Sequence, residues 1–150
     1  MKLMMRLMKK DDYSSLVDLW SGFSGTTMTG ADSQEGFERF LDRNGECCFS
    51  VLLSDRIVGS VMAGHDSRRG YIYHLAVDES LQGKGTGAAL MSAAGSALRN
   101  AGIEKAHLFI YTDNSAIRFY EKTGWHRRHD IAVMSKVLIG EQYLGTRKED

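Results

Sequence analysis

Gly83, Gly85 and Gly87 stand between a strand-like run that ends at Val77 and an apolar stripe of helical spacing that begins at Leu90. The first N–H groups of a helix have no acceptor inside it, and the positive end of its dipole adds to them, so a glycine run at such a junction suits an anion. Glycine lets the backbone close on a phosphate, and Lys84 brings a mobile positive charge. Three phosphate-binding patterns compete for this loop. G-x-x-x-x-G-K-[ST] fails, because no glycine is followed by lysine and then serine or threonine. Gly83, Gly85 and Ala88 meet the dinucleotide pattern G-x-G-x-x-A, but that loop turns tightly off its strand, whereas five residues separate Val77 from Gly83. The third pattern, Q/R-x-x-G-x-G/A, is met by Gln82, Gly85 and Gly87, with Leu75-Ala76-Val77-Asp78 just upstream.

Periodicity predicts the elements that carry this loop. Leu3, Met5 and Leu7 alternate as a first strand, and Asp11 or Asp12 caps a helix bearing Leu16, Leu19, Trp20 and Phe23. A loop over 24–30 follows. Asp32 and Glu35 stand in capping-box register before Phe37, Phe40 and Leu41, giving a second helix that Asn44 and Gly45 end. Runs over 48–53, 57–64 and 71–77 read as a three-strand meander. Beyond the glycines, Leu90, Met91, Ala94, Ala97 and Leu98 form a helix stripe, and a strand over 105–111, a helix over 115–123 and a final strand over 131–138 complete the chain. The order βααβββαβαβ predicts an α/β fold, a mixed sheet with helices on both faces. With no linker or repeat, residues 1–150 read as one domain with a frayed tail over 140–150.

Composition narrows the function. The chain has 150 residues, 43% hydrophobic, enough for one buried core, and its 19 basic and 19 acidic residues cancel. No overall field exists to hold nucleic acid or an anionic membrane, and the apolar runs are far shorter than the roughly 20 residues of a membrane span. Arg6, Lys9 and Lys10 break any leader-like apolar stretch at the N-terminus. Adjacent Cys47 and Cys48 can neither staple a loop nor furnish a metal set, which points to a reduced, cytoplasmic, metal-free protein.

Three segments in order, H-L-A-V-D at Val77, Q-G-K-G-T-G-A-A-L at the loop and N-S-A-I-R-F-Y-E-K-T-G-W over 114–125, resemble the GNAT family of acyl-CoA-dependent N-acetyltransferases. The run G-H-D-S-R-R-G-Y-I-Y-H-L-A-V is similar to small bacterial members of the YpeA type. The resemblance covers about residues 57–138 and implies a GNAT-like sheet splayed between strands 71–77 and 105–111, with the pantetheine arm of acetyl-CoA in the opening. Backbone groups of Leu75, Ala76 and Val77 would pair with that arm, and Gln82, Gly83, Lys84, Gly85, Thr86 and Gly87 would hold the pyrophosphate. Asn114 would add a cofactor contact, although the family spacing N-x-x-A-I is one residue longer, so Asp113 competes for that position. Tyr120 matches the family tyrosine that protonates the leaving thiolate; read from its neighbours Ile117 and Trp125 alone, it is a core aromatic.

The base is less legible. Tyr71 and Tyr73 face the splay by parity and are candidate acceptor contacts, while His74 has the opposite parity unless a bulge turns it. A water chain through the tyrosine hydroxyls is the other route. Paired Arg68 and Arg69 would hold an acceptor carboxylate or simply be solvated, and Asp32 or Glu35 would attract an ammonium. At pH 7 a lysine amine is neutral in about one molecule in 2,500, a penalty of about 4.6 kcal/mol, against about 1 kcal/mol for an α-amine. The predicted acceptor is therefore a small-molecule primary amine or a protein N-terminus, with a homodimer left open. A non-catalytic acyl-CoA-binding sensor or interaction module is the alternative.

Overall fold

The computed structural model describes residues 2–23 and 28–141. It comprises two compact units, Met1–Ile110 and Tyr111–Asp150. The first holds a five-stranded sheet in the order β1 (Leu3–Leu7), β2 (Phe49–Leu53), β3 (Arg56–His65), β4 (Gly70–Val77) and β5 (Ala106–Leu108). Successive pairs are antiparallel up to β4, and β5 joins β4 in parallel.

Helices α1 (Tyr13–Ser21) and α2 (Gln34–Asn44) cover one face and α3 (Thr86–Asn100) the other. Glycines record how closely they pack. A Cβ on Gly64 would lie 2.7 Å from Phe40 and Asn44 of α2, and one on Gly70 would lie 2.9 Å from Leu98 of α3. The α1/α2 face buries Leu16, Trp20, Phe37, Leu41, Cys48, Met62 and Ala76 in one cluster. Each large side chain there contributes about 1.5–3 kcal/mol. The mixed sheet with helices on both faces is the fold the sequence predicts.

Four local expectations change. Asp12 precedes α1 but makes no cap bond to it; its carboxylate is taken instead by Arg6, the Lys9 N–H and Ser50. The N-cap of α2 is Ser33, whose hydroxyl accepts the Gly36 N–H at 3.1 Å, whereas Asp32 closes the 3-10 turn Gly30–Asp32. β5 is three residues long rather than seven. In the second unit the helix is α4 (Ile117–Lys122), and no strand forms over 131–138 among the described residues. Ile131, Val133, Met134 and Leu138 are exposed there. Alternation needs a neighbouring ladder to become a strand, because extended backbone must find partners for its N–H and C=O groups. Residues 24–27 of the predicted loop lie outside the described residues, as do 142–150 of the tail. No helix among the described residues is long and apolar enough to cross a membrane.

Candidate active site

β4 changes character halfway along. Gly70, Tyr71 and Ile72 pair with Ala106, His107 and Leu108, and the pairing stops there, so residues 73–77 carry no β5 partner. This is the splay the sequence predicts. On the other side the register slips: Tyr73 pairs with Met62 but Ala76 with Ser60, so three steps of β4 face two of β3. The extra residue is absorbed by a bulge in which His74 takes φ of +46°.

The bulge resets the parity that sequence alone gives His74. Tyr73 meets Phe40 of α2 edge-on at 5.8 Å, and His74, the very next residue, stacks on Trp20 of α1 at 4.1 Å and 14°. Both side chains therefore stand on the α1/α2 face. His74 Nε2 lies 2.6 Å from Asp32 Oδ1. Burial pushes the Asp32 carboxyl up, but the bonds from His74 and the Thr29 N–H outweigh it and leave it below its ordinary 3.8. An ionised carboxylate can only accept, so Nε2 carries the hydrogen of this bond. The Trp20 indole N–H donates to Ser60 Oγ at 2.9 Å, and that hydroxyl donates to the His74 carbonyl at 2.9 Å. Ring, bulge and carboxylate are thus held from α1, β3 and the Gly30–Asp32 turn. Asp32, read from sequence as a free attractor of ammonium, is already engaged.

After β4, Asp78 anchors the loop: its N–H donates to the Val58 carbonyl at 2.7 Å, and its carboxylate accepts from the Ser80 N–H and hydroxyl. The Gln82 amide donates to the Val77 carbonyl at 3.1 Å, so this side chain ties the loop to the strand end rather than reaching outward. Gly83 and Gly85 have φ of +77° and +85°, and a Cβ on either would meet nothing within 4 Å. It is the left-handed backbone, not crowding, that calls for glycine. Gly85 is the N-cap of α3 and offers no side-chain cap. The N–H groups of Thr86, Gly87 and Ala88 in the first turn thus have no helical acceptor. Thr86 is buried and Lys84 is exposed.

In the turn before β4, the Asp66 carboxylate accepts the N–H groups of Arg68 and Arg69, both at 2.8 Å, which leaves both arginines exposed. Tyr71 lies 6.0 Å from the His107 ring and 6.1 Å from that of Phe109. Burial, and then the charge of Tyr71, raise the Tyr73 phenol above its ordinary range.

In the second unit, Tyr120 sits on α4 between Phe119 at 5.2 Å and Trp125 at 6.2 Å. Burial raises its phenol, and among the described residues of its unit the hydroxyl has no hydrogen-bond partner. Asn114 Oδ1 accepts the Ala116 N–H at 2.8 Å, an Asx turn that starts the approach to α4 and commits the carbonyl of this side chain.

Sequence reasoning missed Trp20 and Ser60 as parts of this site. Trp20 read as helix core, which it also is, and Ser60 as one residue of a strand; nothing in their spacing links them to His74.

Comparison with known proteins agrees with this architecture. The model of the acetyltransferase (GNAT) family matches residues 14–125. An acetyltransferase of Pectobacterium atrosepticum is 30% identical over 139 residues, covering 92% of this chain and 98% of its own. The crystal structure of Ard1 from Thermoplasma volcanium superposes with a TM-score of 0.72 at 25% identity, covering 83% of this chain and 82% of that one. The PaiA N-acetyltransferase of Thermoplasma acidophilum, solved in complex with coenzyme A, shares the fold with a TM-score of 0.71 at 16% identity over 83% of this chain and 89% of its own. A family model spanning most of the chain and a relative matched over nearly its full length establish the conclusion that this protein belongs to the GNAT family of acetyltransferases.

Proposed function

We propose that the protein transfers the acetyl group of acetyl-CoA to a primary amine, of a small molecule or of a protein N-terminus, by direct attack of the amine on the thioester. The observation that carries this reading is the stretch 73–77 of β4, paired with β3 on one edge but without a β5 partner on the other, and continuous with a left-handed glycine loop at the start of α3. On that open edge Leu75 and Val77, on either side of Ala76, offer backbone groups to an amide-rich arm as a neighbouring strand would, and the amides of residues 83–87, with Lys84, suit a pyrophosphate. The Val77 carbonyl is already occupied by Gln82 and Ala76 pairs with Ser60 of β3, so Leu75 carries the carbonyl pairing. Tyr120 supplies the proton to the departing thiolate. Its hydroxyl has no hydrogen-bond partner among the described residues of its unit, which favours this role over that of a core aromatic.

Direct attack, rather than relay through a protein thiol, is favoured by the state of the cysteines. Burial pushes the Cys48 thiol up to about 12, and burial and then Glu46 raise Cys47. Neither is a competent nucleophile at neutral pH. Their free, buried state suits a reducing cytoplasm.

The test is thiol release from acetyl-CoA across a panel of amines, run beside calorimetric CoA binding. Acceptor-dependent turnover is expected, with α-amines ahead of lysine side chains; binding without turnover on a broad panel would favour the non-catalytic module. Two variants locate the parts. Gly85→Glu should weaken CoA at least about 100-fold, because it opposes the pyrophosphate and strains a left-handed position. Tyr120→Phe should lower kcat about tenfold with CoA affinity unchanged, since only a transition-state interaction is lost.

A further inference from the structure

We infer that His74 is the general base of the reaction, its Nδ1 taking the proton of the acceptor's ammonium, and that Asp32 is the positioning residue that fixes this tautomer. The inference rests on the acetyltransferase reading and names the one role that reading leaves unfilled.

The Asp32 carboxylate accepts the Nε2 hydrogen, which makes Nδ1 the nitrogen with the free lone pair. Among the described residues Nδ1 has no hydrogen-bond partner, yet none of their buried side-chain nitrogens or oxygens is left unsatisfied. Nδ1 therefore reaches solvent. The ring is 17% exposed, clamped flat on Trp20, and belongs to the residue directly before Leu75, where the proposed arm-binding stretch begins. His74 also occupies a left-handed backbone position that suits glycine or asparagine better. Such a conformation in a histidine is a mark of function when its side chain is held as this one is. The groups facing the ring are Asp32 from the Gly30–Asp32 turn, the uncharged Trp20 from α1 and the uncharged Ser60 from β3, with Tyr73 and Leu75 flanking it on β4.

In the step proposed, an N–H bond of the ammonium breaks, its electron pair stays on nitrogen and the proton passes to Nδ1. The neutral amine then forms the new C–N bond as the C–S bond breaks; the sulfur leaves with that pair and takes the Tyr120 proton, and the second proton, shed by the nitrogen as it becomes an amide, replaces it on Tyr120 through solvent. His74 returns its proton to solvent. A plain structural clamp, His74 pinning the Gly30–Asp32 turn to β4, would use the same contacts, so the test must read proton transfer.

The measurement is kcat against pH from about 5.5 to 9.5, on the full chain at saturating acetyl-CoA and α-amine acceptor. His74→Gln should lower kcat at pH 7 about 100-fold and replace the acid limb of the wild type by a rise that follows the amine's own ionisation. Asp32→Asn should cost about tenfold and keep a histidine limb. His74→Gly suits the left-handed backbone and opens a slot against Trp20, so added imidazole should restore kcat at least about tenfold while CoA affinity stays constant. Variants of His74 that bind CoA normally and keep both the wild-type rate, within about threefold, and its pH profile would overturn the assignment and leave a clamp. That result would leave the acetyltransferase reading standing, whereas a wild type that turns over no amine on the panel would sink that reading and this assignment together.

Discussion

Asp12 and Asp32 begin as the same local structure. Each is the last residue of a 3-10 turn, Lys10–Asp12 and Gly30–Asp32, and each accepts the backbone N–H three residues earlier at 2.9 Å, from Lys9 and Thr29. Each carboxyl is pushed up by burial, yet falls below its ordinary 3.8 because its hydrogen bonds outweigh that burial. The partners then diverge. Asp12 receives both guanidinium nitrogens of Arg6 at 2.8 Å and the Ser50 hydroxyl at 3.0 Å, while Asp32 receives one histidine nitrogen at 2.6 Å. Arginine keeps its charge at every ordinary pH, so the Asp12 pair can only hold β1 and β2 to the start of α1. A histidine bonded through one ring nitrogen keeps a second that can accept a proton, so the Asp32 pair can take part in chemistry. Identical turns thus serve opposite ends, and the partner, not the aspartate, decides which.

Removing each carboxylate should separate the two. Asp12→Ala leaves the Arg6 charge, the Lys9 N–H and the Ser50 hydroxyl without their acceptor in a site whose carboxylate is 6% exposed, and should cost about 3 kcal/mol. That corresponds to a fall in Tm of about 6–12 °C. Activity per folded molecule should stay within about threefold. Asp32→Ala should cost less, about 1–2 kcal/mol, because its carboxylate takes three hydrogen bonds, one of them 3.5 Å long, against four at Asp12, and should lose most of the activity. Equal rankings in melting and turnover would break the contrast.

Acid sharpens it. A carboxyl lowered on folding stabilises the fold above its unfolded value and loses that contribution as pH falls through the folded one. For Asp12 and Asp32 this window lies below pH 3.8. The stability gap between wild type and Asp12→Asn, followed by urea unfolding, should therefore be flat from pH 5 to 8 and close only below about pH 4. The gap for Asp32→Asn should close in the same window, because its carboxyl is lowered by hydrogen bonds in the same way. A gap for Asp12→Asn that changed in the neutral range would mean that Arg6 is not its governing partner.

The parts of the site that could be read in the sequence are those that are contiguous in it. Strand end, glycine loop and helix start run from Leu75 to Leu90, and each residue type there answers to a local demand of backbone or charge. The Asp32–His74 pair spans 42 residues and could not be read that way. Both Asp32 and Ser33 are good cap formers, and only the packed turn decides that Ser33 caps α2 and frees Asp32. The bulge at His74 leaves no compositional trace, since one added residue flips the face of everything beyond it while the alternation looks regular. The strand expected over 131–138 failed for the converse reason: its alternation is visible, but a ladder is a property of two segments.

The smallest effect concerns what steadies the histidine rather than what charges it. Ser60 is fully buried, accepts the Trp20 indole N–H and donates to the His74 carbonyl. Ser60→Ala removes both bonds without adding volume, leaving a buried indole N–H unsatisfied, and should cost about 1–2 kcal/mol. The Asp32 bond does not pass through this hydroxyl, so the shape of the pH profile should be kept while kcat falls only about two- to threefold as the bulge loosens. Indole fluorescence should report the lost hydrogen bond directly. A changed pH profile in Ser60→Ala would show that the bulge, and not the carboxylate alone, holds His74 in its working position, and would extend the functional pair into a three-element unit.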